Sequence, residues 1–197
     1  MKHVGLSLDA MAFDSGQEFL VCMVEMQPPL NDQASRVVDV VGSVELTAEE
    51  TQQIKLFVDE LRSEYQVANA SKKKQYTIYP HFRERNAANA CRSYSCAGFV
   101  VEAYSDTGID LLRLDQIPEI DLEILLVAYR DLENLLRNAD IRTGFGLEGD
   151  GPWPVLLPGY LLHATNRSPK ECRESPYTVT IGDQYFPARK TENSEEQ

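Results

Sequence analysis

The first 27 residues restrict the fold most, because apolar and polar residues alternate along two arms of equal length. Residues 3–13 and 17–27 flank Asp14-Ser15-Gly16, where glycine suits the left-handed position of a tight loop. Even-numbered residues of both arms are mostly apolar, so we expect both even faces to point into one core. A three-residue loop with a glycine bulge satisfies this, and it sets His3 opposite Gln27 and diagonal to Glu25, away from the core.

The rest of the pattern mixes helices with short strands. A valine-rich stretch at 36–46 predicts a third strand. A helix is expected to begin after Thr47, where Glu50 completes a capping box, and to bury the apolar residues that recur at helical spacing as far as Tyr65. We further predict helices at 96–108 and 121–138, short strands at 76–79 and 177–186, and a glycine- and proline-rich loop at 144–159.

Length and composition predict one globular unit. The 197 residues fit a single domain at 1–187 with a disordered tail at 188–197. The formal charge of −12 repels phosphate backbones, which argues against a nucleic-acid partner, and no apolar run is long enough for a membrane span. The four cysteines have no zinc-type spacing, so we expect neither a metal nor a cofactor, and we expect free thiols.

The N-terminal residues bear on localisation. Asp9 and Asp14 interrupt any apolar run that could serve as a secretory signal. We therefore expect a cytoplasmic protein, or one exported by a secretion system that is independent of a signal peptide.

Cys96 is the strongest candidate for a chemically reactive residue. It follows a polar lead-in and opens an amphipathic stretch, so we expect it at the start of a helix. The helix dipole and the unpaired N–H groups of a first turn favour a thiolate and can hold an oxyanion. A small buried cysteine is an equally good explanation on position alone.

A family resemblance favours the reactive interpretation. Residues 95–100, SCAGFV, followed by Ala103-Tyr104 and Gly108-Ile109, resemble the nucleophile helix of the NlpC-type papain-like superfamily, usually DCSGFV with a later GI. Residues 3–8, HVGLSL, are similar to the superfamily's HVGIYL strand, which supplies the catalytic histidine. The strand precedes the helix here, which is the circularly permuted order of the lecithin:retinol acyltransferase-like and related bacterial branches.

The resemblance implies a triad of Cys96, His3 and Glu25. Glu25 lies in MVEMQPP, which is similar to the strand that carries glutamate in the permuted bacterial branch. The predicted register sets Glu25 on the same face as His3, and Gln27, directly opposite His3, is the alternate. A solvent-exposed strand carboxylate is the other interpretation of Glu25.

The resemblance also assigns residues around the nucleophile. Tyr65 is similar to a tyrosine that lines the site in these enzymes, although it is equally well explained as a core residue of its helix. Tyr94, just before the nucleophile, is the second expected substrate-side or oxyanion-side residue. His163, in PGYLLH, is the competing base because it resembles the PGDL strand of the unpermuted enzymes, and His81 is expected in a loop.

Together these features predict an α+β, papain-like, circularly permuted domain with an antiparallel sheet packed against helices. The implied activity is a cysteine hydrolase, an amidase or endopeptidase, that works through an acyl-enzyme. Peptidoglycan stem peptides are one implied substrate, in which case the protein would be an antibacterial effector with a cognate inhibitor protein. The alternatives are an acyltransferase or lipid esterase with the same triad, and a non-enzymatic binding domain with a buried Cys96.

Overall fold

The computed structural model describes residues 5–7, 19–26, 30–38, 42–87 and 89–185. His3, Gln27, the loop at Asp14-Ser15-Gly16 and the tail at 188–197 lie outside these residues.

The described chain is α+β, as predicted, with helices and two small antiparallel sheets. Three single 3-10 turns occur at 114–116, 130–132 and 181–184. The strands are β1 (Phe19–Met26), β2 (Leu30–Val38), β3 (Phe82–Arg83) and β4 (Ser93–Tyr94); the helices are α1 (Ala48–Val67), α2 (Lys72–Gln75), α3 (Cys96–Ser105), α4 (Leu122–Ala128), α5 (Glu133–Leu136), α6 (Ala139–Gly144), α7 (Pro158–Thr165) and α8 (Pro169–Glu174).

The predicted register of the N-terminal hairpin is confirmed where the structure describes both arms. Leu6 and Val24 form an antiparallel bridge and exchange both backbone hydrogen bonds, at 2.9 and 2.8 Å. This is the pairing that a loop at Asp14-Ser15-Gly16 requires. Leu6, Val24 and Met26 are buried, as expected for the even-numbered face. The other edge of β1 pairs with β2, from Met26 opposite Leu30 to Phe19 opposite Val38.

Helix α1 agrees closely with the prediction. Thr47 accepts a hydrogen bond from the Glu50 N–H, and Glu50 accepts one from the Thr47 N–H, so the capping box is complete. The five apolar residues predicted to recur on one face are all buried: Ile54, Phe57, Val58, Leu61 and Tyr65. Their side chains belong to one hydrophobic cluster that also includes Leu6, Phe99 and Leu161. The spacing of apolar residues was sufficient to predict this helix because the helix is long and amphipathic.

Several elements differ from the prediction. The helix predicted at 96–108 ends at Ser105, and the strand predicted at 76–79 is reduced to a bridge between Tyr76 and Tyr94. The strand predicted at 36–46 instead spans Leu30–Val38, because its length is set by pairing with β1; the described residues 42–47 have no strand partner. The segment predicted as a strand at 177–186 makes a single bridge, between Leu112 and Tyr177. It then turns into the 3-10 helix Ile181–Gln184, because Asp183 accepts hydrogen bonds from the Thr180 backbone and hydroxyl.

The helix predicted at 121–138 is broken at Tyr129. Asp121 caps α4 as expected, but Tyr129 has φ −111° and ψ 47°, outside helical geometry, and a 3-10 turn separates α4 from α5. The Tyr129 ring is buried, with 1% of its surface exposed. The helix breaks because tertiary packing of this ring overrides the local preference for a continuous helix. The spacing of apolar residues in the sequence does not reveal such packing.

Candidate active site around Cys96

Cys96 is the first residue of α3, as the sequence predicted. Ser95 is the N-cap, and its hydroxyl accepts a hydrogen bond from the Gly98 N–H at 2.9 Å. The side chain of Cys96 is fully buried, with 0% exposed. The positive end of the helix dipole and the N–H groups of the first turn therefore act on a thiol that is shielded from water.

His81 packs against the start of the same helix, on the face that carries Gly98 and Glu102. Its carbonyl accepts a hydrogen bond from the Ser95 N–H at 2.9 Å, and a Cβ at Gly98 would clash with it. Its ring Nε2 lies 3.2 Å from Glu102 Oε1. His81 precedes β3, in a bend, and pairs with Glu102.

Glu25 is buried, so two expectations are wrong at this residue: that it is a solvent-exposed strand carboxylate, and that the odd-numbered face of β1 lies away from the core. It lies on β1 with 1% of its surface exposed, between the buried Val24 and Met26. β1 contacts α3, so this carboxylate lies on a strand that packs against the cysteine helix. Burial of a carboxylate is costly without polar partners, which makes the position a constrained one. The proposed partner His3 and the alternate Gln27 lie outside the described residues.

Two tyrosines that the sequence did not single out lie beside Cys96. Burial raises the pKa of Tyr76 well above its ordinary value, and the neighbouring Tyr129 and Cys96 raise it further. Burial also raises the pKa of Tyr129, with Cys96 adding to the shift. Both hydroxyls are buried without a hydrogen-bond partner of acceptable geometry. The thiol thus lies next to two neutral phenols in the core.

Neither tyrosine carries a signal that sequence reasoning could have used. Tyr129 fits a helical apolar period that predicts core packing, and Tyr76 lies in a short apolar stretch before Pro80. Each approaches Cys96 only through tertiary structure: Tyr76 through its bridge to Tyr94, and Tyr129 through the break after α4.

The two tyrosines expected near the nucleophile have different surroundings. The Tyr94 ring stacks on Phe82 at 4.9 Å and meets Phe57 and Phe99 edge-on at 6.1 and 6.3 Å. Burial raises the pKa of Tyr65, and the nearby Tyr94 raises it further. The Tyr65 hydroxyl is buried without a hydrogen-bond partner. In the described chain, both rings are core residues that support the segment leading into Cys96.

His163 does not lie on a strand, so that part of the prediction is wrong. It lies in α7, which begins with Pro158 at its first position, where proline favours a helix start. Its Nε2 lies 2.9 Å from the Tyr185 carbonyl oxygen, and its Nδ1 lies 3.7 Å from Asp183 Oδ1. Both ring nitrogens therefore face the C-terminal 3-10 segment.

Comparison with known proteins found no match: no family model, no curated protein and no solved structure is similar to this chain. Within the described ranges, no cluster of three or more histidine, cysteine or acidic side chains could hold a metal ion. None of the helices described is both long and apolar enough to cross a bilayer.

Proposed function

We propose that this protein is a cysteine hydrolase, an amidase or endopeptidase, with a papain-like, circularly permuted fold and a triad of Cys96, His3 and Glu25. The observation that carries the proposal is the combination of a buried thiol at a helix start with a buried carboxylate on the strand packed against that helix. Nucleophilic cysteine chemistry needs an activating base, and a helix start and a polar group that orients the base both favour it.

The confirmed register supports His3 as the base. Continuing the Leu6–Val24 pairing by three residues would set His3 opposite Gln27, on the odd-numbered face that also carries Glu25. The other two histidines support this assignment by their positions. The His81 ring pairs with Glu102 of α3, and His163 faces the C-terminal segment. Gln27 remains the alternate third residue.

The reaction divides into two displacements. His3 takes the Cys96 proton, the sulfur bonds to the substrate carbonyl carbon, and first-turn N–H groups of α3 hold the oxyanion. The bond from that carbon to the leaving nitrogen breaks as His3 returns the proton to it, leaving a thioester. Water, activated by His3, then attacks the thioester and releases a carboxylic acid and the thiol. Glu25 accepts a hydrogen bond from the imidazole and fixes its tautomer.

The same site chemistry supports a second candidate. If a lipid ester supplies the acyl group, or an acceptor other than water resolves the thioester, the protein is a lipid esterase or an acyltransferase. The complete burial of Cys96 favours a third candidate, a non-enzymatic domain in which this thiol is a core residue. Catalysis requires that the residues covering the thiol move when substrate enters. A non-enzymatic domain requires no such movement.

Peptidoglycan stem peptides are the proposed substrate class. The proposal then makes the protein an antibacterial effector that is paired in its own cell with an inhibitor protein. A chain with a charge of −12 is not held on an anionic wall by electrostatic attraction, so such an effector would have to be delivered to its substrate.

The test incubates purified peptidoglycan and, separately, a panel of lipid esters with wild type, Cys96→Ala and Cys172→Ala. We expect wild type and Cys172→Ala to release new amino and carboxyl groups from peptidoglycan. Cys96→Ala should lose about 10³-fold or more in rate. Mass spectrometry of quenched wild type should detect an acyl group on the Cys96 peptide.

Each other result selects a different candidate. Turnover of lipid esters alone would identify the esterase or acyltransferase. Equal rates for wild type and Cys96→Ala would contradict the nucleophile assignment. No turnover of either panel, together with no preferential alkylation of Cys96, would favour the non-enzymatic domain.

A further inference from the structure

The loop between α6 and α7 and the turn at Tyr79–Pro80 border an open cleft of about 590 Å³. The loop was predicted from its glycines and prolines, and residues 145–157 have no helix or strand in the structure. Its polar and aromatic lining includes Tyr79, Arg83, Asn89, Thr143, Glu148 and Trp153. The volume is in the range of small-molecule sites in proteins.

Arg83 is half-buried, and its guanidinium is hydrogen-bonded to a backbone carbonyl. Its Nη2 donates to the Tyr79 carbonyl at 2.8 Å, and no ion pair involves it within the described chain. Arg92 pairs with Glu64, Arg142 with Asp150 and the exposed Arg173 with Glu50, whereas Arg167, also half-buried, makes no ion pair among the described residues. In a chain with 31 acidic and 19 basic residues, a half-buried guanidinium without such a partner keeps unused N–H donors.

The cleft holds this guanidinium in a fixed place. Gly146 has φ +86°, and a Cβ there would clash with the Tyr79 carbonyl and with Arg83. A glycine at this position lets the loop close directly onto the arginine. Across the cleft, Trp153 Nε1 donates to the Glu148 carbonyl at 2.8 Å, which joins the aromatic and acidic sides of the lining.

Charges in the cleft favour a singly charged ligand group. Burial lowers the pKa of Arg83, while the nearby Glu148 carboxylate raises it. A dianionic phosphate would meet repulsion from Glu148, whereas a carboxylate matches the planar fork of a guanidinium. Asn89 and Thr143 add neutral hydrogen-bonding groups, and an edge of the buried Trp153 ring, 5% exposed, lies in the lining. Glu148 itself can accept an ammonium group.

We propose that this cleft binds the free C-terminal carboxylate of a short peptide, with Arg83 as the carboxylate receptor. The peptide backbone contacts Asn89 and Thr143, and its last side chain packs against Trp153. A peptide with a free amino group gains a further contact with Glu148. The site is independent of Cys96 and of the reaction proposed there.

The chain's single tryptophan, Trp153, makes the test direct. Intrinsic fluorescence is followed while acetyl-trialanine with a free carboxylate, or its C-terminal amide, is titrated into the full chain. We expect a saturable change with the acid and at least about tenfold weaker binding of the amide, because hydrogen bonds to a charged group are lost. The same titration with Cys96→Ala excludes any effect of peptide hydrolysis.

Variants distinguish a specific contribution of Arg83 to binding from a general effect of removing positive charge. Arg83→Gln should weaken binding of the acid about tenfold, and Arg83→Lys should weaken it less because it keeps the charge without the fork. Arg85→Gln is the control, since it removes the same charge from an exposed neighbour outside the lining. Glu148→Gln should weaken binding of unblocked trialanine but not of the acetylated peptide.

Three results would overturn the proposal. They are equal affinity for acid and amide, unchanged affinity in Arg83→Gln, and no saturable signal with either peptide. Circular dichroism reports whether Arg83→Gln folds. If it does not, Arg83→Lys and the acid-to-amide ratio on wild type still decide the question.

Discussion

Two fully buried thiols, Cys96 and Cys172, lie in helices capped by serine, yet their surroundings differ. Cys96 opens α3 behind Ser95, whereas Cys172 is the fourth residue of α8 behind Ser168. The Cys172 thiol donates to the Ala164 carbonyl at 3.3 Å, a neutral contact that ties α8 to α7. Burial raises the pKa of Cys172, which favours the unreactive thiol.

The comparison shows that burial alone does not distinguish a structural cysteine from a candidate nucleophile. Cys96 differs by its place in the first turn, by the Tyr76 and Tyr129 hydroxyls beside it, and by the strand carrying the buried Glu25. Burying polar groups costs folding free energy, and clusters of such groups occur preferentially at functional sites. The following experiments test whether these differences make Cys96 more reactive than Cys172.

Among these experiments, replacing the Glu25 carboxyl group should have the largest effect. Glu25→Gln keeps the shape but loses the carboxylate that orients the base, so we expect a fall of about 10²-fold or more in Cys96-dependent hydrolysis. Steady-state rates on the substrate found for wild type measure it. Continued protection of Cys172 from alkylation is the internal control for folding, and an unchanged rate would remove Glu25 from the triad.

Alkylation of wild type should separate the two thiols directly. Iodoacetamide at neutral pH should modify Cys96 about tenfold or more faster than Cys172 or Cys91, because only Cys96 has a helix start and the proposed base. Peptide mass spectrometry over time gives the rates. The urea-unfolded chain, where all four thiols should react alike, is the control, and His3→Ala should slow Cys96 alone. Equal rates in the folded protein would contradict the distinction.

The two serine caps should have similar effects on stability but different effects on reactivity. Ser95→Ala and Ser168→Ala should each lower the free energy of unfolding by about 1 kcal/mol, since each removes a hydrogen bond to a first-turn N–H. Urea denaturation measures this. Only Ser95→Ala should alter alkylation of Cys96. An equal change in Ser168→Ala would show that the thiol responds to global stability.

The smallest expected effect concerns the ion pair that joins the Cys172 helix to α1. Hydrogen bonds from Arg173, and then from the Thr47 N–H, lower the pKa of Glu50 from 4.5 to about 2. A lowered folded-state pKa contributes stability above pH 4.5 that is lost as the pH falls towards 2.

Arg173→Gln should therefore flatten the acid dependence of the melting temperature between pH 4.5 and 2, as thermal unfolding across that range would show. Arg137→Gln, which breaks an exposed pair within one helix region, is the control. A change in Cys96 alkylation in Arg173→Gln would show that the two thiol regions are coupled.

The sequence by itself determined the elements that depend on neighbours along the chain. The capping box and one-sided period of α1, the helix start at Cys96 and the hairpin register at Leu6 and Val24 follow from local patterns, and the structure has all three. Loop geometry and alternation fix such features within a few residues of each other.

Tertiary structure alone decided what surrounds Cys96. The burial of Glu25, the break at Tyr129 and the approach of Tyr76 depend on which elements pack together over long distances in the chain. The same holds for His163, whose segment is a helix facing Asp183 rather than a strand. Local propensity is a weak preference of under about 1 kcal/mol per residue, so packing overrides it where a large side chain can be buried.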